Sequence, residues 1–153
     1  TTAANLNASI PRACHSFASA TRASSVAAGE EWYTEYEETN RLASGPLAYI
    51  QPEMGHTGIT QFVRIARIAA AKRVAVAPHA TVGTGIFLAA SLQASATIPG
   101  LWKHEWQHSV FERNLALLDT DMAHGESGYV LPSAPGLGVE PNARFWDHAE
   151  QLA

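Results

Sequence analysis

The chain has 153 residues, 46% of them hydrophobic, which is enough for one domain with a buried core and too few for two comfortable ones. Charged residues make up only 16% and the net charge is −4, which excludes a basic face for nucleic acid and a polybasic run for a membrane surface. The single Cys14 excludes an internal disulfide, and Arg, Lys, Gly or Pro interrupts every apolar stretch well short of the roughly 20 residues of a spanning helix.

No basic and apolar leader is visible at the start, so a cytoplasmic protein is expected. The chain opens Thr1-Thr2 without methionine, as a processed product or a fragment would. Thr1 to Ala13 shows no period, and His15 to Arg22 reads as a short helix.

From there a unit repeats. Ser25-Val-Ala-Ala-Gly-Glu30 reads as a short strand leading into a helix over Tyr33 to Leu42. Leu47-Ala-Tyr-Ile-Gln-Pro-Glu53 reads as a second strand. After Gly55-His-Thr-Gly58 it gives way to the clearest amphipathic helix of the chain, Ile59 to Lys72, with Phe62, Ile65, Ile68 and Ala69 at helical spacing. Arg73-Val-Ala-Val-Ala-Pro-His79 is a third strand, followed by an Ala-rich helix over Ile86 to Ala96, and Leu101-Trp-Lys-His-Glu105 is a fourth. After Val110 the pattern dissolves through Phe111 to Leu118, Tyr129-Val-Leu-Pro and a turn-rich Ser133 to Val139, and Asn142 to Leu152 reads as a terminal helix.

The four strands end on Glu30, Glu53, His79 and Glu105, at spacings of 23, 26 and 26 residues. That is the length of a βα unit, and alternating βαβα predicts an α/β fold with a parallel sheet. Runs such as Val74-Ala-Val-Ala are apolar throughout, as a strand buried on both faces requires. Polar groups at the carboxyl ends of such strands converge on one site.

Five pieces carry a resemblance: Ala27-Ala-Gly-Glu30, Ile50-Gln-Pro-Glu53 with Gly55-His-Thr-Gly-Ile-Thr60, Val76-Ala-Pro-His79, His104-Glu-Trp-Gln107 and Pro135-Gly-Leu-Gly-Val-Glu140. In order and spacing the chain resembles the mandelate racemase and muconate-lactonizing branch of the enolase superfamily, and within it the acid-sugar dehydratases. The resemblance runs from about Ala20 to the C-terminus. It implies the C-terminal half, about four βα units over residues 20–108, of an enolase-superfamily (β/α) barrel. Residues 109–153 form the tail and residues 1–19 are poorly matched, all within a single partial domain.

The implied chemistry is abstraction of the proton next to a carboxylate, with a divalent metal stabilising the enediolate. Glu30 matches a carboxylate ligand of Mg2+, and His79 matches the general base. Glu53, where Asp is commoner, matches the partner that fixes the imidazole of His79. Glu105 matches the protonated acid that hydrogen-bonds the enediolate. The substrate class implied is a small carboxylate, an acid sugar, that loses a β-hydroxyl as water to give a 2-keto-3-deoxy acid. A racemase or cycloisomerase of the superfamily shares these residues, and the complete enzyme is expected to form homo-oligomers.

The family's other two metal ligands and its Lys-x-Lys base belong to earlier strands, and Thr1 to Ala13 contains no Asp or Glu. A non-catalytic half-barrel with exposed strand edges is therefore an alternative. A third reading takes His104-Glu-Trp-Gln-His108 as the H-E-x-x-H of a zinc hydrolase, which requires residues 104 to 108 to be helical.

For the remaining features ordinary roles are expected. Glu31, Glu35, Glu37 and Glu38 complement a helix dipole. The glycines of Gly55 to Gly58 and Gly83 to Gly85 shape loops, with His56 a candidate substrate contact. Trp102, Trp106 and Trp146 lie in the core or against the N-terminal α+β domain that caps the barrel in the family this chain resembles.

Overall fold

The computed structural model describes residues 26–80 and 83–149. Cys14 and the helix expected over His15 to Arg22 lie outside them. The first half is a run of βα units: β1 (Ala27–Ala28), α1 (Glu35–Ser44), β2 (Tyr49–Ile50), α2 (Met54–Ala71), β3 (Ala75–Val76) and α3 (Gly85–Ser95). The strands lie side by side in the order β1-β2-β3, all parallel, with Ala28 opposite Ile50 and Ile50 opposite Val76. Leu101 makes a parallel bridge to Val76 and adds the expected fourth segment.

The ladder passes two prolines. Neither Pro52 nor Pro78 can donate, but each carbonyl accepts from the next segment, from His79 N at 3.2 Å and Glu105 N at 3.1 Å. The strand-end residues thereby stay in register.

Ile50 and Val76 from the strands pack with Met54, Phe62, Ile65, Ala66 and Ala69 of α2 and Ala90 and Ala94 of α3. The other side of α3, through Leu88, Ala89 and Leu92, packs against Phe111, Met122 and Tyr129 of the C-terminal region. A helix buried on two sides has no charged stripe, which is why Ile86 to Ala96 carries no charged residue and its Ser91 and Ser95 are buried.

α2 begins earlier than its sequence pattern suggests. Glu53 is its N-cap and Met54 to Thr57 already form the first turn, so the expected Gly55–Gly58 loop is helical up to Gly58. At Gly58 (φ 64°, ψ 165°) the helix kinks, a conformation open to glycine at little cost. At its other end, Arg73 N bonds Ala70 O and Val74 N bonds Ala69 O, the paired closure of a Schellman motif, with Arg73 in the left-handed position (φ 61°).

The C-terminal region holds α4 (Phe111–Leu115), an antiparallel pair of β4 (Leu118–Thr120) and β7 (Val139–Pro141), and a hairpin of β5 (Ala123–Gly125) and β6 (Gly128–Val130). The expected terminal helix is the short α5 (Ala143–Trp146), capped by Asn142 Oδ1 on Phe145 N at 3.2 Å. Trp102, Trp106 and Trp146 are 40%, 36% and 62% exposed, so none is a core residue of this chain.

Glu38 departs most from expectation. It lies in the first turn of α1, but its side chain is 1% exposed and Oε1 has no hydrogen-bond partner. Burial pushes its pKa up to about 7, against a smaller opposing pull from Lys72. The folded protein then binds more protons than the unfolded chain between about pH 4.5 and 7, so stability falls as pH rises through that window. Glu38→Gln should flatten this slope and stabilise the protein at pH 8 by about 2 kcal/mol. Thermal melts at pH 5 and pH 8 check it, and an unchanged slope contradicts it.

Candidate active site

Four strand-end residues meet where the parallel segments finish. Glu53 is 4% exposed, and its two carboxylate oxygens are both committed. Oε1 accepts from Gly55 N at 2.9 Å, and Oε2 accepts from His79 Nδ1 in a short hydrogen bond. A carboxylate only accepts, so Nδ1 of His79 carries the proton and the neutral ring keeps its lone pair on Nε2. Nε2 faces Glu30 Oε2 and Glu105 Oε2, each at 3.6 Å.

His79 thus has one buried carboxylate behind it and two partly exposed ones before it. Burial pushes its pKa down, but the Glu53 hydrogen bond and the charges of Glu105, Glu53 and Glu30 together outweigh that, and the net displacement is upward. The imidazole side chain is 26% exposed, so the ring is only partly shielded from solvent.

Local structure fixes each acid. Gly29 (φ 123°) turns the chain out of β1 into Glu30, and a side chain there would press on the ring of Trp32 and on Gln51 N. Glu105 Oε2 accepts from Ala80 N at 2.9 Å, which ties the fourth segment to the residue after His79.

His56 joins the site at the backbone: its Nδ1 donates to Glu30 O at 3.0 Å while its ring stacks on Tyr33, centroids 4.8 Å apart. The structure therefore brings Glu30, Glu53, His79 and Glu105 together and sets His56 beside the first of them.

The geometry of a zinc motif is missing from residues 104–108. Residues 102–107 form no helix, so His104 and His108 do not share a helical face. Both ring nitrogens of His104 are engaged, Nδ1 with Glu105 O at 3.0 Å and Nε2 with Ser91 Oγ at 2.8 Å, and burial lowers its pKa to about 4. His104 is a neutral structural histidine, and the zinc reading falls.

For Mg2+ the donor chemistry fits in part. Three carboxylates surround one imidazole, so even a protonated His79 leaves surplus negative charge, and oxygen is what a hard cation prefers. Glu53 is spent on Gly55 and His79, however, and among the described residues no group of three His, Cys, Asp or Glu is placed to hold a metal. Glu30 suits one ligand position and not a complete site.

The sequence model of the enolase C-terminal domain-like family matches residues 9–145. The chain belongs to that family.

A solved member of the enolase superfamily from Agrobacterium tumefaciens is 52% identical and superposes with a TM-score of 0.81 over 84% of this chain and 33% of its own. A D-galactonate dehydratase of Variovorax paradoxus (strain S110) is 36% identical over 134 residues, 82% of this chain and 35% of that enzyme. A D-galactarolactone cycloisomerase of Agrobacterium fabrum (strain C58) is 30% identical over 128 residues, 76% of this chain and 33% of that enzyme. The chain spans about a third of the length of the relatives it matches. This enolase C-terminal domain-like chain thus has the parallel α/β architecture expected from its sequence. Among its described residues no helix is long and apolar enough to cross a membrane.

One contributor escapes sequence reading. Tyr129, on β6, reaches the backbone on either side of Trp106, at Glu105 and Gln107. It lies 24 residues from Glu105 within a three-residue strand, and no motif or periodicity links the two.

Proposed function

We propose that this chain carries the proton-transfer groups of an enolase-superfamily lyase that dehydrates an acid sugar to a 2-keto-3-deoxy acid. The observation that supports this most is the Glu53–His79 pair, whose orientation leaves the neutral ring's Nε2 free of a proton and turned toward Glu30 and Glu105.

His79 Nε2 takes the proton from the carbon next to the substrate carboxylate. Glu53 supports the imidazolium through Nδ1–H, as a buried carboxylate does for other catalytic histidines. Glu105, held by Ala80 N at 2.9 Å, is assigned to hydrogen-bond the developing enediolate. The β-hydroxyl then leaves, so that the abstracted hydrogen and the hydroxyl are lost together as water, and the enol product tautomerises to the keto acid.

Glu30 would supply one oxygen ligand for Mg2+, which would stabilise the enediolate, and among the described residues no group of three is placed to complete the site. His56 is assigned to substrate contact beside it.

D-galactonate is the first substrate to test, because the curated relative of Variovorax paradoxus is a D-galactonate dehydratase. The cycloisomerase relative favours a second reading, in which the same proton transfer opens a sugar lactone. Incubating the full-length protein and Mg2+ separately with D-galactonate and D-galactarolactone, with products followed by proton NMR, distinguishes them. A keto-deoxy acid from D-galactonate supports dehydration, a rearranged acid from the lactone alone supports the second reading, and turnover of neither contradicts both.

A further inference from the structure

We propose that Tyr129, together with His104, is a positioning residue that sets the aim of Glu105 from the C-terminal hairpin. The inference rests on the catalytic reading of Glu105. The Glu105 carbonyl can only accept, and it receives two donors: Tyr129 Oη at 3.0 Å and His104 Nδ1 at 3.0 Å. The Tyr129 hydroxyl in turn accepts from Gln107 N at 2.8 Å. One phenol therefore fixes the peptide groups on both sides of Trp106, in a segment that has no helix or strand of its own to hold it.

The clamp is itself supported. Tyr129 is 6% exposed and burial raises its pKa to about 12, so it remains a donor across the working pH range. Its ring packs edge-on against His104 (5.5 Å) and beside Phe111 (5.7 Å) and Trp106 (5.3 Å). His104 accepts at Nε2 from Ser91 of α3, so its tautomer is set from outside the site. Further along the same segment, Asn114 Nδ2 donates to Gln107 Oε1 at 3.0 Å and to Gly83 O at 3.0 Å. Three elements, α3, α4 and the hairpin, converge on a backbone whose acidic side chain, that of Glu105, points toward Ala80 N and His79. The hydroxyl touches no reacting group, so it can act only through where it holds Glu105.

The test is a double-mutant cycle in the full-length enzyme with D-galactonate and Mg2+, using Tyr129→Phe, Glu105→Gln and both together. Phenylalanine keeps the aromatic packing and removes only the hydroxyl. We expect Tyr129→Phe to lower kcat by about 10-fold with KM within about 2-fold, a displacement effect on the chemical step. In the Glu105→Gln background it should cause no further loss. Faster exchange of the Gln107 N–H by NMR should report the released clamp in either background. A Tyr129→Phe variant that exchanges faster but keeps the parental kcat overturns the inference, as does the same 10-fold loss in the Glu105→Gln background. Failure of the underlying reading shows separately, as Glu105→Gln turning over at the parental rate.

Discussion

Replacing His79 with asparagine should lower turnover of the acid sugar by about 10³-fold, within the range by which a positioned general base accelerates proton transfer. Asparagine can still donate an N–H toward Glu53 from about the place of Nδ1, so the buried carboxylate keeps a partner. What it lacks is the second, basic nitrogen, the one that faces Glu30 and Glu105 at 3.6 Å. The loss should fall on kcat, with KM little changed, because the missing group acts on the proton and not on binding.

A stability signature accompanies the loss. The folded-state pKa of His79 is raised, so the protonated ring contributes stability that is fully present below its ordinary pKa of 6.5 and disappears as pH rises through the folded value. His79→Asn should therefore destabilise the protein at pH 6 and much less at pH 9. Melting temperatures across that range, with kcat at the optimum, check both parts.

Glu53→Gln is expected to be at least as damaging, for a reason set by the second oxygen of Glu53. Oε1 accepts from Gly55 N at 2.9 Å, so the glutamine carbonyl must take that position. The amide nitrogen then faces His79 Nδ1 as a donor, which drives the ring proton to Nε2 and blocks the base. A wrong tautomer of this kind costs about 10⁴-fold in the serine-protease triad. The N-cap of α2 survives through the carbonyl, so the melting temperature should move little at pH 9, where the ring is neutral, and fall at pH 6, where the protonated His79 loses its charged partner.

The residual activity should also shift in pH. With the Glu53 charge gone, burial acts on His79 with less opposition, and the pH at which activity rises should move down. A Glu53→Gln enzyme with parental kcat, or a limb moved upward, contradicts this account of the pair.

The four site acids and bases were legible in the sequence because parallel strands buried on both faces leave a distinct trace. Val74-Ala-Val-Ala and Leu47-Ala-Tyr-Ile carry no charged residue, and the first titratable residue after each, His79 and Glu53, marks the strand end. A repeat of 23 to 26 residues then places those ends side by side.

The start of α2 was misread because Gly55 and Gly58 signal a loop, whereas only Gly58 leaves the helix. Gly55 lies inside the first turn, and its N–H donates to the capping Glu53 side chain. Glu38 was misread because an acidic residue in a first helical turn ordinarily faces water, and nothing local shows that α1 rolls it inward. The hairpin β5–β6 was missed because three-residue strands flanked by Gly125 and Gly128 are too short for alternation to register. Its Tyr129 acts at a distance in sequence that only the tertiary fold closes.

The central claim is that Nε2 of His79 removes the hydrogen next to the substrate carboxylate. Its most direct measurement is exchange of that hydrogen. D-galactonate deuterated at C2 is incubated with the full-length protein and Mg2+ in ordinary water, and loss of the label from remaining substrate and its absence from product are followed by NMR, for the parent and for His79→Asn. The account predicts that the parent removes the C2 label as fast as or faster than it forms product, and that His79→Asn leaves the label in place. Label loss from the His79→Asn protein at the parental rate would contradict it.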